Sequence, residues 1–300
     1  MKNQTKAYIF AILSVLCWST VATAFKIALN YQDYIHLLLI SSFTSIIILF
    51  LILTFQGKLK LLGRQSRKNI FYSLILGILN PFLYYIVLFK AYSLLPAQMA
   101  QPLNYTWGVV VVLLSIPILK QKIRFVNIIA LIVSFIGVIV ISTKGDIISL
   151  KFSEPFGVAL AVGSSLIWSL YWLFNMKDDR DEIIKLFFNF LFGFIFIIIY
   201  LLVFSEFKIP SMKGVIASVY VGIFEMGITF VFWLKAMKLS ETTSQVSNII
   251  FLSPFLSLIF INFFLGEKVL LSSFIGLAFI VGGIIIQQIF SLKQPKLEIK

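Results

Sequence analysis

The chain has 300 residues, of which 60% are hydrophobic and only 12% are charged, and its mean hydropathy is +1.02. A soluble domain is usually about a quarter charged, so these values exclude an ordinary soluble protein and predict a membrane protein. The net charge of +13 would suggest nucleic acid if it lay on a soluble face. Here the basic residues lie between apolar stretches, and we expect no nucleic-acid partner.

Ten apolar windows remain when the sequence is divided at its charged residues. Each is long enough to cross a hydrocarbon core of about 30 Å, which requires roughly 20 helical residues. In chain order the windows are 7–25, 34–56, 69–89, 91–119, 125–143, 155–176, 186–205, 214–234, 242–266 and 269–292. Pro81 is expected to kink the third helix. The predicted fold class is an all-α membrane protein with ten transmembrane helices.

The basic residues of the connecting loops indicate the orientation of these helices. Cytoplasmic loops carry an excess of lysine and arginine. If the N-terminus is cytoplasmic, most of the 25 basic residues fall on the cytoplasmic side, with the exceptions Lys26, Lys90, Lys144, Lys151, Lys208, Lys213 and Lys268. We therefore expect a multi-pass protein of the bacterial cell (inner) membrane with cytoplasmic N- and C-termini.

The two halves of the sequence resemble each other. Matched pairs include Ser14 and Ser164, Trp18 and Trp168, Gly77 and Gly222, Ala91 and Ala236, and Gly137 and Gly283. Because each half has five windows, an odd number, the second half must enter the membrane from the opposite side. We predict a first repeat over 1–143, a second, inverted repeat over 144–292 and a cytoplasmic tail over 293–300. Inverted repeats are typical of alternating-access transporters; chance similarity between apolar helices is the alternative.

The sequence contains no motif for catalysis or for cofactor binding. It lacks the GxxxxGK[ST] loop that cradles nucleotide phosphates and the HExxH motif that binds zinc, and its only histidine is His36. The single cysteine, Cys17, permits no internal disulfide and is expected to be a packing residue. We predict that the protein is not an enzyme and has neither a cofactor nor a metal site.

Polar and aromatic side chains on the predicted helices indicate a binding region for a small molecule. In lipid, polar side chains are expected to point toward one another or toward a wet cavity. Ser164 and Asn175 share one face of the sixth helix with three aromatic residues, although an interfacial aromatic belt would also explain the aromatic residues. The predicted substrate-binding residues are Trp18, Asn80, Tyr84, Asn104, Tyr105, Trp107, Trp168, Tyr171 and Trp172.

Glu225 is the only formally charged residue inside any of the ten windows. Insertion scales assign an acidic residue at the bilayer centre a cost of about 2.5 to 3.5 kcal/mol, which favours a functional role. Three hypotheses are open. Glu225 carries a coupling proton, it binds the amino group of a substrate, or it is a structural residue that is hydrogen-bonded to Asn80 or Thr229.

Three further features have mainly structural explanations. Trp233 lies beside Lys235 at a predicted helix end, which favours a position in an interfacial aromatic belt. His36 lies near the outer end of the second helix, where a solvated position is favoured over a role in pH sensing. The acidic residues between 178 and 182 predict a solvated cytoplasmic loop, and a regulatory or partner contact is the alternative.

Several motifs resemble those of the drug/metabolite transporter superfamily, EamA type. They are WST at 18–20, WSLYW at 168–172, PAQMAQPLNYTW at 96–107 and FLGEKV at 264–269, followed by Gly276 and the pair Gly282 and Gly283. The run from Asn104 to Trp107 is most similar to the branch that exports amino acids, including aromatic ones. Gly108 departs from that pattern, where a proline is usual, and so does Gln121, where a glutamate is usual.

This resemblance implies a ten-helix secondary transporter built from two five-helix repeats. It also implies that the direction of transport is export. Its expected partners are the lipid bilayer, a small-molecule substrate such as an amino acid or related metabolite, and protons if Glu225 couples transport. Export of cationic drugs is the alternative within transporters. From a different class, a channel or a lipid-handling membrane protein is the alternative.

Overall fold

The computed structural model of the chain describes residues 3–119, 125–148, 154–206, 208–240 and 248–291. Every regular element in these ranges is a helix. The first half contains α1 (Asn3–Leu29), α2 (Tyr34–Phe55), α3 (Leu59–Leu62), α4 (Arg67–Gly77), a π-helical turn (Ile78–Leu83), α5 (Tyr84–Leu94), α6 (Ala97–Asn104), α7 (Trp107–Leu119) and α8 (Phe125–Ser142). The second half contains α9 (Pro155–Asn175), α10 (Glu182–Phe204), α11 (Met212–Phe224), α12 (Ile228–Leu239), a 3-10 turn (Asn248–Phe251), α13 (Leu252–Leu265) and α14 (Leu271–Ser291).

Seven helical segments in the described ranges are long and apolar enough to cross a membrane: Asn3–Leu29, Tyr34–Phe55, Arg67–Leu94, Ala97–Ile118, Pro155–Asn175, Glu182–Phe204 and Met212–Leu239. Three apolar helical segments are shorter: Ile128–Ser142, Ile249–Leu265 and Leu271–Ile286. The predicted all-α membrane architecture is therefore confirmed, and the count of ten spans stays a prediction. The predicted tail at 293–300 and Gln121 lie outside the described residues.

Polar side chains lie inside the bundle and large apolar side chains lie outside it. Asn80, Asn189 and many serines are fully buried, whereas Phe55 is 87% exposed and Phe263 is 79% exposed. Several of the buried serines satisfy their hydroxyls on helix carbonyls, as Ser19 does on Val15 and Ser45 on Met226. This distribution suits a chain whose outer surface contacts lipid, because hydrocarbon penalises unpaired polar groups and accepts apolar ones.

The long helical segments break at corresponding places in the two halves. In the first half, the π-helical turn contains Asn80, whose φ of −148° and ψ of 121° are not helical, and Pro81. In the second half, α11 ends at Phe224 and α12 begins at Ile228, so the break includes Glu225 and Gly227. Broken helices of this kind free backbone groups and line binding sites in transporters.

The helix contacts also correspond when the two halves are exchanged. In the first half, α1 packs on α11, α12 and α13 of the second half. In the second half, the corresponding helix α9 packs on α4, α5, α6 and α7 of the first half. Likewise α2 packs on α11, and α10 packs on α4 and the π-helical turn. The helices α2 and α10 contact each other, as do α8 and α14. This is the set of contacts that the predicted repeat requires, and the repeat itself stays a prediction.

Glycines permit the closest of these contacts. A Cβ atom on Gly77 would lie 2.6 Å from the Asn189 carbonyl oxygen, and one on Gly222 would lie 2.5 Å from the Ser41 carbonyl oxygen. Both distances are far below a normal contact, so only glycine allows α4 to approach α10 and α11 to approach α2 this closely.

The bundle has two ends, which are named here by the helix termini and loops that lie at each. The N-terminal end is the end where α1 begins, and there the Ser240 hydroxyl, after α12, donates to Gln4 Oε1 at 3.4 Å. The α9–α10 loop lies at the same end, because its Asp181 pairs with Lys58. The distal end holds the loops after α1, α5 and α13.

Candidate functional site

A cavity of about 350 Å³ lies in the centre of the bundle, between the two halves. Its walls come from α1, α5, α6, α7, α9, α12 and the turns beside them. All five tryptophans of the chain line it: Trp18, Trp107, Trp168, Trp172 and Trp233. The cavity is of the size and apolar character of a small-molecule site.

Glu225 is the only charged side chain among the described residues that line this cavity. It is 8% exposed and lies at the break between α11 and α12, where its backbone N–H donates to the Val221 carbonyl. The Tyr85 hydroxyl donates to its Oε1 at 3.0 Å, and its Oε2 has no hydrogen-bond partner among the described residues. The helix break thus holds a carboxyl group with one free acceptor atom beside an apolar cavity.

Asn104 anchors the polar side of the cavity. Its Nδ2 donates to the Ser164 hydroxyl at 2.8 Å, and its Oδ1 accepts from the Tyr84 hydroxyl at 3.3 Å. One helical turn earlier, Gln101 also lines the cavity and is 5% exposed, and its Oε1 has no partner in the described part of the chain. Asn104 is therefore occupied by neighbouring side chains, whereas Gln101 retains an acceptor.

Aromatic rings surround these polar groups on two sides. Trp168 lies 4.6 Å from Tyr84 and 5.9 Å from Phe230 between ring centroids. Trp18 lies 5.6 Å from Trp233 and 6.0 Å from Phe230. Ring faces of this kind pack against flat apolar groups and attract cations.

Of the predicted binding residues, seven line the cavity: Trp18, Tyr84, Asn104, Tyr105, Trp107, Trp168 and Trp172. Asn80 and Tyr171 do not appear in its wall. Tyr171 is 1% exposed and lies behind Trp168, where its hydroxyl accepts from Asn189 at 3.4 Å. Asn80 is fully buried in the π-helical turn. That any of these residues binds a substrate stays a prediction.

Two expectations about the surroundings of Glu225 are wrong. Its hydrogen-bond partner is Tyr85, not Asn80 or Thr229, and the Thr229 hydroxyl donates instead to the Phe224 carbonyl. Trp233 is 7% exposed and lines the cavity, so it is not part of an interfacial belt. Its neighbour two residues on, Lys235, points away from the cavity and lies over the Phe10 ring.

Two loop expectations also need correction. His36 is 2% exposed, so it is not solvated: its Nδ1 lies 2.7 Å from the Asp33 carboxylate, and its Nε2 accepts from the Lys208 backbone N–H. The acidic loop is likewise more than a solvated run, because three of its carboxylates are engaged, among them Glu182, which pairs with Lys185 at 2.8 Å. Asp178 binds Arg180, and Asp181 caps α10 and pairs with Lys58 at 2.6 Å.

Electrostatics explains why the Asp178 and Asp181 carboxylates are ionised. Partial burial raises the pKa of Asp178, but hydrogen bonds from the Arg180 side chain and backbone outweigh it and lower the pKa below its usual value. For Asp181, burial raises the pKa, and the Lys58 ion pair with the α10 N–H groups lowers it further than burial raises it. Both carboxylates also connect the two halves at the N-terminal end. Asp181 pairs directly with Lys58 of the first half. Asp178 binds Arg180, which in turn donates to the Ser73 hydroxyl of the first half.

The cavity opens toward the N-terminal end. Met176, which is 67% exposed, and Met237 form its rim there. Met237 also lines a wider cavity of about 1290 Å³, the vestibule, between the start of α1, the α9–α10 loop and the end of α12. A solute can thus approach the central cavity from this end.

The distal end is closed by contacts between the two halves. The Glu267 carboxylate accepts from the backbone N–H groups of Ala97 at 3.0 Å and Gln98 at 3.3 Å, at the N-terminus of α6. Within the first half, Lys26 donates to the carbonyls of Tyr92 and Leu95 at the same end. We call the Glu267 contact the distal lock; an acidic group at a helix N-terminus is stabilised by the unpaired N–H groups there.

The residues of the wall that were not predicted include Tyr92, Phe230, Met176 and Met237. Phe230 could not have been found, because it is one of 32 phenylalanines and nothing in its sequence neighbourhood sets it apart. The described residues contain no cluster of His, Cys, Asp and Glu that could hold a metal ion.

Comparisons with known proteins agree with this architecture. The family model described as EamA-like transporter family matches residues 5–143 and again residues 155–287. An uncharacterized transporter of Clostridium kluyveri is 28% identical over 292 residues, which cover 94% of this chain and 92% of that protein. An uncharacterized transporter of Archaeoglobus fulgidus is 24% identical over 287 residues, which cover 94% of this chain and 98% of that protein.

A solved crystal structure is similar over 97% of this chain and 99% of its own chain, with a TM-score of 0.68 and 20% identity, which shows a shared fold. Since the family model covers most of the chain in two matches, the resemblance seen in its motifs is confirmed at the level of the family. The chain belongs to the EamA-like transporter family, and is accordingly a multi-pass membrane protein that transports a small molecule and is not an enzyme.

Proposed function

We propose that this protein is a secondary active transporter that exports amino acids or related small metabolites by alternating access. The observation that carries the proposal is a carboxyl group, Glu225, at a helix break in a central cavity whose exposed rim lies at the N-terminal end. Small-molecule sites in transporters with inverted repeats have this location, between the repeats and beside discontinuous helices.

The two halves act as the moving bodies in this proposal. Their contacts correspond when the halves are exchanged, and their helix breaks lie at corresponding places. Such a relation gives a second conformation with the roles of the two ends reversed, in which the distal end is open and the N-terminal end is closed. With both termini in the cytoplasm, the described conformation is open to the cytoplasm.

Glu225 couples transport to protons in this proposal. A carboxyl group beside an apolar cavity can hold either a proton or the ammonium group of a solute, and holding both is disfavoured. Exchange of one for the other at the same oxygen atoms would link their movements in opposite directions. The free Oε2 atom supports this role, because it leaves one acceptor of the carboxyl group available.

Cationic compounds without a carboxylate are the second candidate. The observation that favours them is that none of the described residues lining the cavity is a lysine, arginine or histidine. An amino acid would have to bind its carboxylate with neutral N–H donors such as the indoles. A channel is disfavoured because part-buried contacts join the helices at the distal end, whereas conduction requires a continuous polar path.

Counterflow in proteoliposomes tests the proposal. Labelled amino acids, and separately labelled organic cations, are traced as they exchange against an excess of the same unlabelled solute. We expect exchange of at least one solute, and we expect a pH gradient to drive its net movement in the wild type but not in Glu225→Gln, which retains exchange.

Glu206→Gln is the matched control for this change, because Glu206 is exposed at the distal end and lies outside the cavity. It should behave as the wild type does. If no solute of either class exchanges, the proposed function is wrong. If Glu225→Gln still responds to the pH gradient as the wild type does, Glu225 is not the proton carrier.

A further inference from the structure

The unpaired charges of the vestibule are mostly positive. The charged residues of its wall are Lys6, Lys58, Asp179, Arg180, Asp181, Glu182, Lys235 and Lys238. Four of these are in ion pairs: Lys58–Asp181, Arg180–Asp178 and Glu182–Lys185. Within the described ranges, the three other lysines have no ion pair, and Asp179 is the only carboxylate of the wall without one. The unpaired charge of the wall is therefore three positive against one negative.

The three unpaired lysines lie along the seam between α1 and α12. Lys6 is one turn before Phe10 on α1, and the Lys235 Nζ atom lies 5.5 Å from the centroid of the Phe10 ring. Lys238 follows Lys235 by three residues and so shares its face of α12. The Phe10 and Phe232 rings, 5.8 Å apart, pack the two helices together. Because α1 and α12 belong to different halves, both halves supply positive charge to this part of the vestibule.

The seam continues into an exposed apolar stripe on α1. Ile9, Leu13 and Leu16 follow Lys6 at i+3, i+7 and i+10, which places all four on one side of the helix. They are 44%, 39% and 45% exposed, and Ile9 also lines the vestibule. α1 has 27 residues and is about 40 Å long, roughly 10 Å more than the hydrocarbon core. Lys6, one turn from its start, therefore lies at the level of the lipid headgroups, and the stripe faces the acyl chains.

We infer that the vestibule binds an anionic phospholipid, with its phosphate group on Lys6, Lys235 and Lys238 and an acyl chain along the stripe on α1. Basic pockets between membrane-spanning helices bind anionic headgroups in this way. A free phosphate would use the lysines but not the stripe, and a zwitterionic lipid would bring a positive group to a site that is already positive. The bound lipid connects the two halves at the N-terminal end. The inference goes beyond the proposed function and holds whatever the central cavity transports.

Native mass spectrometry of the purified full chain in detergent tests this inference. The protein is titrated with phosphatidylglycerol and, separately, with phosphatidylcholine that has the same acyl chains. The ratio of lipid-bound to lipid-free protein at each concentration gives the affinity for the first lipid. We expect phosphatidylglycerol to bind at least about tenfold more tightly than phosphatidylcholine, because each basic residue near an anionic lipid contributes about fivefold.

A triple variant removes the three charges of the seam: Lys6→Gln, Lys235→Gln and Lys238→Gln. These side chains are exposed, so the changes leave the packed interior intact, and thermal unfolding without added lipid verifies this. The triple variant should lose the preference for phosphatidylglycerol by weakening that lipid at least about tenfold while leaving phosphatidylcholine unchanged. Lys6→Gln alone should weaken phosphatidylglycerol about fivefold.

The matched control is a second triple variant: Lys60→Gln, Arg64→Gln and Lys68→Gln. These side chains are exposed on and beside α3 and α4, outside the vestibule wall. The control changes the net charge by the same amount, so it separates a defined site from the overall positive charge of the protein. It should retain the preference for phosphatidylglycerol to within about threefold, because a charge outside the site is screened by solvent and salt.

Equal affinities of the wild type for the two lipids would overturn the inference. So would a wild-type preference in the triple variant of the seam, or an equal loss in the control, which would show that surface charge attracts the lipid without a site. Glycerol 3-phosphate distinguishes the lipid from a free phosphate. At a concentration equal to that of the lipid it should displace no phosphatidylglycerol, and displacement would show a phosphate site in place of a lipid site.

Discussion

At the scale of single residues, the position of Glu225 depends on one hydrogen bond and on the local break in the helix. The Tyr85 hydroxyl donates to one carboxyl oxygen at 3.0 Å, across the two halves of the chain. The neighbouring Tyr84 hydroxyl bonds to Asn104 instead. Adjacent residues on one helix thus serve different polar partners, which allows the contribution of the Tyr85 bond to be isolated.

A double-mutant cycle measures that contribution. Tyr85→Phe should lower the free energy of unfolding by about 1 to 3 kcal/mol, because it leaves a buried carboxyl oxygen without its donor. Glu225→Leu and Tyr85→Phe should then be non-additive by a similar amount, because leucine has no oxygen that can accept from the Tyr85 hydroxyl. Unfolding of the four proteins in mixed micelles gives the coupling energy.

The control cycle uses Tyr84 in place of Tyr85, because the Tyr84 hydroxyl does not bind Glu225. Tyr84→Phe and Glu225→Leu should be additive to within about 0.5 kcal/mol. Additivity in the Tyr85 cycle as well would show that the hydrogen bond contributes nothing to stability.

At this scale, sequence patterns predicted much of the cavity wall but not its polar partners. Trp168 and Trp172 were identified because a shared helical face implies a shared environment. The partner of Glu225 could not be predicted, since the helix break rotates its side chain by an amount that no periodic pattern describes. Trp233 was misplaced for a different reason, because its position was inferred from that of its neighbour Lys235. Residues two apart on a helix point in nearly opposite directions, so the exposure of Lys235 indicates that Trp233 is buried.

At the scale of helices, close packing between the halves depends on glycine. The Cβ atom of Gly222→Ala would lie 2.5 Å from the Ser41 carbonyl oxygen and 2.6 Å from the Thr44 Cβ atom, so α11 must move away from α2. Gly163, within α9, has no atom within 4 Å of a Cβ position. The two glycines provide a matched pair, one at a contact and one in open space.

We expect Gly222→Ala to destabilise the protein by about 1 to 3 kcal/mol, the usual cost of forcing extra volume into a packed interface. Gly163→Ala should be neutral or slightly stabilising, because alanine favours helix by up to about 1 kcal/mol over glycine. Unfolding of both variants under the same conditions makes the comparison. Equal effects would contradict the account of the α2–α11 contact.

Helix positions followed from hydropathy more closely than helix interruptions did. The predicted window 34–56 corresponds to α2 at Tyr34–Phe55, and the window 155–176 corresponds to α9 at Pro155–Asn175. The break near Pro81 was expected from the missing backbone donor of proline. The break at Glu225 to Gly227 was not, because no proline marks it and tertiary packing decides where the chain departs from helix.

At the scale of the whole molecule, different contacts join the two halves at the two ends of the bundle. At the N-terminal end the Lys58–Asp181 ion pair is half-buried and is weakened by solvent, whereas the Arg180–Asp178 pair beside it is buried. The distal end is held by the distal lock, a carboxylate on two backbone N–H groups. Removing the lock should favour the conformation that is open at the distal end, because both ends belong to one two-state equilibrium.

Thiol labelling from each side of the membrane tests alternating access most directly. In a Cys17→Ala background, Leu88→Cys reports on the cavity wall and Met176→Cys reports on the rim at the N-terminal end. Without further change, a membrane-impermeant maleimide should label both from the N-terminal side and neither from the distal side. Glu267→Ala should raise labelling of Leu88→Cys from the distal side about tenfold or more, since hydrogen bonds to a charged group contribute about 1.5 to 3 kcal/mol.

The decisive result is what happens to Met176→Cys in the same Glu267→Ala protein. Alternating access predicts that its labelling from the N-terminal side falls as distal labelling of Leu88→Cys rises, because opening one end closes the other. If distal labelling rises while Met176→Cys stays fully reactive, both ends are open together, and the protein is a channel and not an alternating-access transporter.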